Sequence, residues 1–203
     1  MRGLKLVIVV AVLSVFSLIS LVARLPKSVG NSEVRVTEKT ENQEVVVGVE
    51  IPPEVAYPEK LIIPKLNVRA NVESVGEDDS GRMDVPKDDL NVAWWKYGAK
   101  PGGLGNAVLA GHLDTKIGDP AVFYELNNLE VGDEITVKDI ENNTLTFIVS
   151  AKEIYIDDSF PLDEVFGATD KTRLNLITCT GYFDRGEKNY SDRLVVYSEL
   201  KEK

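Results

Sequence analysis

The chain has 203 residues, a formal net charge of −10 from 23 Lys and Arg against 33 Asp and Glu, one Cys and one His. That length suffices to bury a core in one or two domains. The single Cys excludes an intrachain disulfide, Cys and His together exclude an all-nitrogen-and-sulfur zinc site, and the acidic balance argues against a general nucleic-acid backbone binder, which needs clustered Lys and Arg. If the chain is a Cys–His enzyme, only one pair is available, Cys179 and His112.

The N-terminal stretch 6–23 (LVIVVAVLSVFSLISLVA) carries no charge and is flanked by Arg2, Lys5, Arg24 and Lys27. Its length is at the lower limit for a membrane-spanning helix and exceeds a typical signal-peptide core. Leu21 and Ala23 followed by Arg24 make a poor cleavage signal, so residues 1–25 are expected to be an uncleaved anchor, with a removed signal peptide as the alternative. Either way the remainder is expected on the extracytoplasmic face, because the short N-terminal stub can hardly hold a domain inside. Residues 26–56 are polar and acidic, with prolines near their end, and are expected to form a stalk; an arm packed on the domain is the competing reading.

A folded domain is expected over residues 57–203. Short strand-like runs follow one another: 60–64, 69–75, 106–110, 134–138, 144–151, 154–157, 173–179 and 193–198. Turn chemistry separates them at Pro101-Gly102-Gly103, Gly132-Asp133, Asn142-Asn143 and Gly186. Residues 121–129 (AVFYELNNL) are the best short helix. The class is therefore all-β, a closed or nearly closed barrel of about eight strands with one or two short helices. The connections are too short for the crossover helices of a doubly wound sheet.

Cys179 ends the run RLNLITC, and His112 follows the run NAVLA within Gly111-His112-Leu113-Asp114. A lone Cys is more often an inert buried residue, and a lone His is usually structural. Both fall at strand ends, however, where side chains project into loop-lined clefts. The chemistry of such a pair is acyl transfer: a thiolate attacks a carbonyl, a His moves the proton, and a third group stabilises the oxyanion. An ordinary thiol titrates near about 8.5, so a nearby positive charge would help. Arg193, which opens the last strand, is the candidate; Arg185, on the preceding loop, is the rival.

These segments resemble those of sortases, the membrane-anchored cysteine transpeptidases of Gram-positive-type bacteria. Leu176-Ile177-Thr178-Cys179 is similar to the family's strand-end Leu-x-Thr-Cys signature, Gly111-His112 to the segment holding its histidine, and Arg193-Leu194-Val195-Val196 to its arginine and last strand. Residues 63–68, 101–102, 105–108, 122–126 and 132–133 agree as well, so the resemblance spans roughly 57–200. Gly111-His112-Leu113-Asp114 together with residues 177–184 (ITCTGYFD) is most like class F, with class E or D next. Class F members often have Asp-Asn before the last strand where this chain has Asp192-Arg193, so its arginine and theirs differ in local context.

The resemblance implies a sortase barrel whose Cys179 attacks the Thr–Gly carbonyl of an LPXTG-like sorting signal and forms a thioacyl enzyme. It implies His112 as acid and then base, and Arg193 as a donor to substrate or oxyanion. Thr178, Thr180 and Leu176 are the expected substrate-binding residues, and the loop 158–171 (DSFPLDEVFGATDK) is expected to meet the sorting signal. The partners implied are sorting-signal-bearing secreted proteins and an amine of the cell-wall precursor. No cofactor is expected; Asp114, Asp119 and Glu125 near His112 offer carboxylates for calcium but no dedicated loop motif. Trp94 and Trp95 are expected to pack under the barrel. No lid motif is present, which favours anchoring over pilus assembly. The competing functions are a noncatalytic tethered β-barrel that binds at the surface, with Cys179 as core, and a papain-like hydrolase, whose Cys would precede its His.

Overall fold

The computed structural model describes residues 54–202, and the expected anchor and most of the expected stalk lie outside them. Eight strands form a closed barrel: β1 (Pro58–Ile63), β2 (Val68–Val75), β3 (Val92–Trp95), β4 (Gly105–Gly111), β5 (Glu134–Asp139), β6 (Thr144–Ile156), β7 (Thr172–Asp184) and β8 (Asn189–Leu200). Their order around the barrel is β1-β2-β3-β4-β7-β8-β6-β5, closed by β5 on β1. Two neighbouring pairs are parallel, β2 with β3 and β4 with β7; the rest are antiparallel. Among the described residues no helix is long and apolar enough to cross a membrane.

Strand alternation sorts the apolar residues between two clusters. Leu61, Ile63, Leu109, Phe147, Leu174, Leu176, Leu194 and Val196 face the interior. Val108, Ile177, Val195 and Tyr197, one residue out of phase on the same strands, face outward into a second cluster with Val165, and Trp95, Phe160 and Phe166 pack against it. The short helix α1 (Leu162–Phe166) roofs this outer cluster. Asn106 Nδ2 donates to the Glu164 and Gly167 carbonyls, and Asn175 Nδ2 donates to Val165, so two buried side chains tie the α1 segment to β4 and β7.

Three expectations change. The runs 144–151 and 154–157 are one continuous strand, β6, which shifts register between Val149 and Ala151 instead of turning. Residues 92–95 are a strand that was expected only as packing; Trp94 is an interior residue, and its indole donates to the Ala99 carbonyl at 3.0 Å. The expected helix over 121–129 is reduced to turns and a 3-10 segment, Leu126–Asn128. Phe123, Leu126 and Leu129 are nevertheless fully buried, because the segment contributes anchors to the core without needing helical regularity.

Candidate active site

Register and alternation together bring the candidate residues to one end of the barrel. β7 pairs with β8 so that Cys179 lies directly opposite Arg193. Both continue the outward phase set by Ile177 and Val195, so the two side chains share one face of the sheet. On the other side of β7, β4 runs parallel with Ala110 beside Ile177. The printed pairing ends there; continued past it, the same count would set Gly111 beside Thr178 and His112, just beyond β4, beside Cys179. A hydrogen bond from Thr178 Oγ1 to the Gly111 carbonyl at 2.8 Å fixes that step.

The residues around His112 are tightly specified. Phe123 N donates to the His112 carbonyl at 2.9 Å and Ala121 N to Leu113 at 3.1 Å. A Cβ at Gly111 would lie 2.5 Å from Phe123 Cδ2, so only glycine lets the 121–123 segment approach there. The imidazole is half-buried, with Nε2 3.2 Å from the Pro86 carbonyl and 3.9 Å from Asp89 Oδ1.

Arg193 is held on all sides. Its guanidinium donates to the carbonyls of Tyr190 and Asp192, each at 3.0 Å, to Asn189 Oδ1 at 2.8 Å, and pairs with Asp157 at 2.9 Å. Asn189 Nδ2 in turn donates to Asp157 Oδ2. The side chain is only 18% exposed. Tyr190 Oη donates to Asp114 Oδ2 at 2.5 Å, which ties the loop after His112 to the β7–β8 hairpin and pushes the phenol up to about 12. Gly181 takes a left-handed conformation (φ 84°) at the point where the β7–β8 register shifts, and a side chain there would collide with Ser191 and Asp192.

The electrostatics follow from this arrangement. Burial pushes the Cys179 thiol up; Arg193 opposes that, and Asp157 and Asp114 reinforce it. The positive charge beside the sulfur is thus partly spent on its carboxylate partner. Burial and the two carboxylates therefore favour the neutral thiol over the thiolate.

The sequence-level residues divide into two groups. Cys179 and Arg193 pair across β7 and β8, His112 follows the end of β4 on the other side of β7, and Thr180 sits half-buried opposite Asp192, one residue beyond the cysteine and in the opposite phase. Leu176 and Thr178 do not reach the cysteine's face. Leu176 is 0% exposed within the interior core, and Thr178 is 3% exposed with its hydroxyl donated to Gly111, so strand alternation turns both inward, away from a bound peptide. Arg185 lies exposed in the hairpin turn, not opposite the cysteine. Asp114, Asp119 and Glu125 do not converge, and among the described residues no group of three or more His, Cys, Asp or Glu side chains is arranged to hold a metal. Asp157, Asn189 and Tyr190 were not anticipated. Their only sequence signal is proximity to strand ends, which does not say which charge they meet.

A family model described as a sortase domain matches residues 61–201. No curated protein matched the chain. Among solved structures, sortase C-1 from Actinomyces oris is 22% identical, with 71% of this chain and 73% of that one covered, at a TM-score of 0.55. Sortase A from Corynebacterium diphtheriae is 20% identical over 73% of this chain and 62% of that one, at 0.56. A Clostridium perfringens sortase D5 transpeptidase is 20% identical over 72% and 79%, at 0.53. At these identities the likeness is one of fold.

Proposed function

The chain belongs to the sortase family of cysteine transpeptidases, and from that premise we propose that it cleaves an LPXTG-like sorting signal between Thr and Gly and transfers the surface protein to a cell-wall amine. The observation that carries this is the direct cross-strand pairing of Cys179 with Arg193, on the strand that lies beside the His112 segment.

In this mechanism His112 takes the thiol proton as Cys179 Sγ attacks the Thr carbonyl carbon. Arg193 donates to the oxygen that becomes negative, which is where a preorganised donor lowers a barrier most. The C–N bond to Gly then breaks, and His112 returns the proton to the departing amine. A thioester on Cys179 remains. The incoming amine attacks it, His112 accepts the amine proton and passes it to the departing sulfur, and the free thiol and a new amide result. Alternation puts Thr180 in the same phase as Leu176 and Thr178, so its contact with the peptide rests on its half-exposed position next to Cys179 and not on the strand face.

The assignment to class F rests on Gly111-His112-Leu113-Asp114 and residues 177–184. Anchoring through residues 6–23, with the barrel on the extracytoplasmic face, rests on their uncharged run and basic flanks. The test is cleavage of an LPXTG peptide by Cys179→Ala and His112→Ala, with folding followed by circular dichroism. Both variants stay folded and lose cleavage. Retained cleavage in either would end the proposal, since no other Cys or His is present. A noncatalytic surface barrel would show no peptide cleavage in the parent chain either.

A further inference from the structure

We infer that Glu73 is a positioning residue for His112: it anchors the 86–91 loop so that the Pro86 carbonyl holds a proton on Nε2 and leaves Nδ1 as the atom that exchanges protons. The inference rests on His112 being the acid–base of the proposed reaction.

Glu73 lies on β2 beside Ala93, far from Cys179 in sequence. Its carboxylate points into the connection between β2 and β3. Oε2 accepts from Lys87 N at 3.0 Å, and Oε1 accepts from Asn91 Nδ2 at 2.9 Å and from Asp88 N at 3.4 Å. Asn91 is also held by Asn71, whose Nδ2 donates to Asn91 Oδ1 at 3.3 Å. The donors from Asn91 and Lys87 hold the Glu73 carboxyl below its ordinary range, so it is ionised at neutral pH and accepts at both oxygens. At the other side of the loop, Val122 N donates to the Asp89 carbonyl at 3.0 Å, while the adjacent Phe123 N donates to His112. The loop and the histidine are therefore fastened to the same short segment, and Pro86 is buried.

That fixes which nitrogen is free. A carbonyl has no proton to give, so the contact between Pro86 O and Nε2 requires Nε2 to donate. It donates equally in the neutral and the charged ring. The proton that comes and goes is consequently the one on Nδ1. Asp89, 3.9 Å away, lies against the same Nε2 and does not compete for Nδ1. In the proposed cycle the thiol proton moves to Nδ1 as sulfur attacks, and the same proton passes from Nδ1 to the leaving amine. A ring in the other tautomer has its basic nitrogen facing Pro86, and cannot take the proton.

The chain has one histidine, so the imidazole signals of the full chain labelled with nitrogen-15 histidine belong to His112 alone. Long-range proton–nitrogen correlations on the neutral ring are expected to give a protonated Nε2 and an unprotonated Nδ1. In Glu73→Ala the two nitrogen shifts move toward each other as tautomers average, and kcat for LPXTG-peptide cleavage falls roughly 10-fold to 100-fold, as for other misplaced catalytic groups, with KM nearly unchanged. Glu73→Gln, which keeps one acceptor oxygen, falls between the two on both readouts. A protonated Nδ1 in the parent chain overturns the inference. So does a folded Glu73→Ala whose tautomer matches the parent. If Glu73→Ala does not fold, Glu73→Gln decides on the same measurements. The tautomer is read without substrate, so a failure of the transpeptidase reading shows separately, as cleavage retained by His112→Ala.

Discussion

Arg193, on β8, and His112, just past the end of β4, come from the two strands that neighbour the cysteine's, and they are held by different means. Arg193 is caught in a polar cage of side chains and carbonyls: the Tyr190 and Asp192 carbonyls hold Nη1, and Asn189 and Asp157 hold Nη2. His112 is held by main chain, through its own carbonyl, its neighbour Gly111 and the Pro86 carbonyl on its ring. The difference matches the two tasks. A group that stabilises charge needs a fixed, partly neutralised cation, and its cage sets the electrostatics of the sulfur. A group that gains and loses a proton needs a fixed ring with one nitrogen left open; the Pro86 carbonyl and, at 3.9 Å, Asp89 both lie against Nε2 and leave the other nitrogen open.

The comparison is most exposed to removal of the two reacting groups. Cys179→Ala or His112→Ala is expected to lower kcat for LPXTG-peptide cleavage by more than about 10⁴-fold, the scale seen when a nucleophile or its base is deleted. The two variants should be equally inactive in steady-state cleavage. On the Arg193 side, Arg193→Ala is expected to cost about 10²-fold to 10³-fold in kcat, the scale of a lost oxyanion donor. It should also move the pH dependence of Cys179 alkylation to higher pH, because the one group that favours the thiolate is gone. A loss confined to KM would mean that Arg193 only binds the peptide.

Asp157→Asn separates the cage from its cation. Asp157 disfavours the thiolate, so removing its charge lowers the thiol pKa, and alkylation should set in at lower pH than in the parent. An unchanged or raised alkylation midpoint would mean that Arg193 leaves the sulfur once uncaged. The smallest effect is on the His112 side. Thr178→Val leaves the buried Gly111 carbonyl without its donor and is expected to cost about 1–3 kcal/mol of stability in a denaturant titration. Catalysis per folded molecule should be little changed, since the hydroxyl faces the barrel and not the substrate.

Much of this was legible in the residues. Alternation in RLNLITC and RLVVYS identifies β7 and β8, but both strands run further than those segments: β7 continues to Asp184 and β8 begins at Asn189, so Cys179 and Arg193 lie within strands, and only His112 sits just past a strand end. The strand number came out at eight through two compensating departures: one long strand expected as two, and one short strand, VAWW, that was not expected. A register shift inside a strand leaves no hydropathy signal, and a four-residue strand is too short to display a period. The reach of the site residues was legible only in part. Counting from Cys179 by twos shows that Thr178 and Leu176 must face the other way, and Leu176 is indeed core. The partners Asp157 and Asn189 were not legible, because the cage joins the end of β6 to the start of β8, a contact set by barrel closure alone. Glu73 is harder still: besides Asn91, it acts through the main-chain donors of Lys87 and Asp88, which carry no residue signature.

The central claim is that Cys179 forms a covalent acyl intermediate in this site. Mass spectrometry of the chain incubated with an LPXTG peptide and quenched in acid tests it most directly. The account predicts an adduct on Cys179 equal to the fragment ending at Thr less one water, absent in Cys179→Ala and discharged by an added amine. Cleavage of the peptide without any adduct, and undiminished in Cys179→Ala, would contradict it.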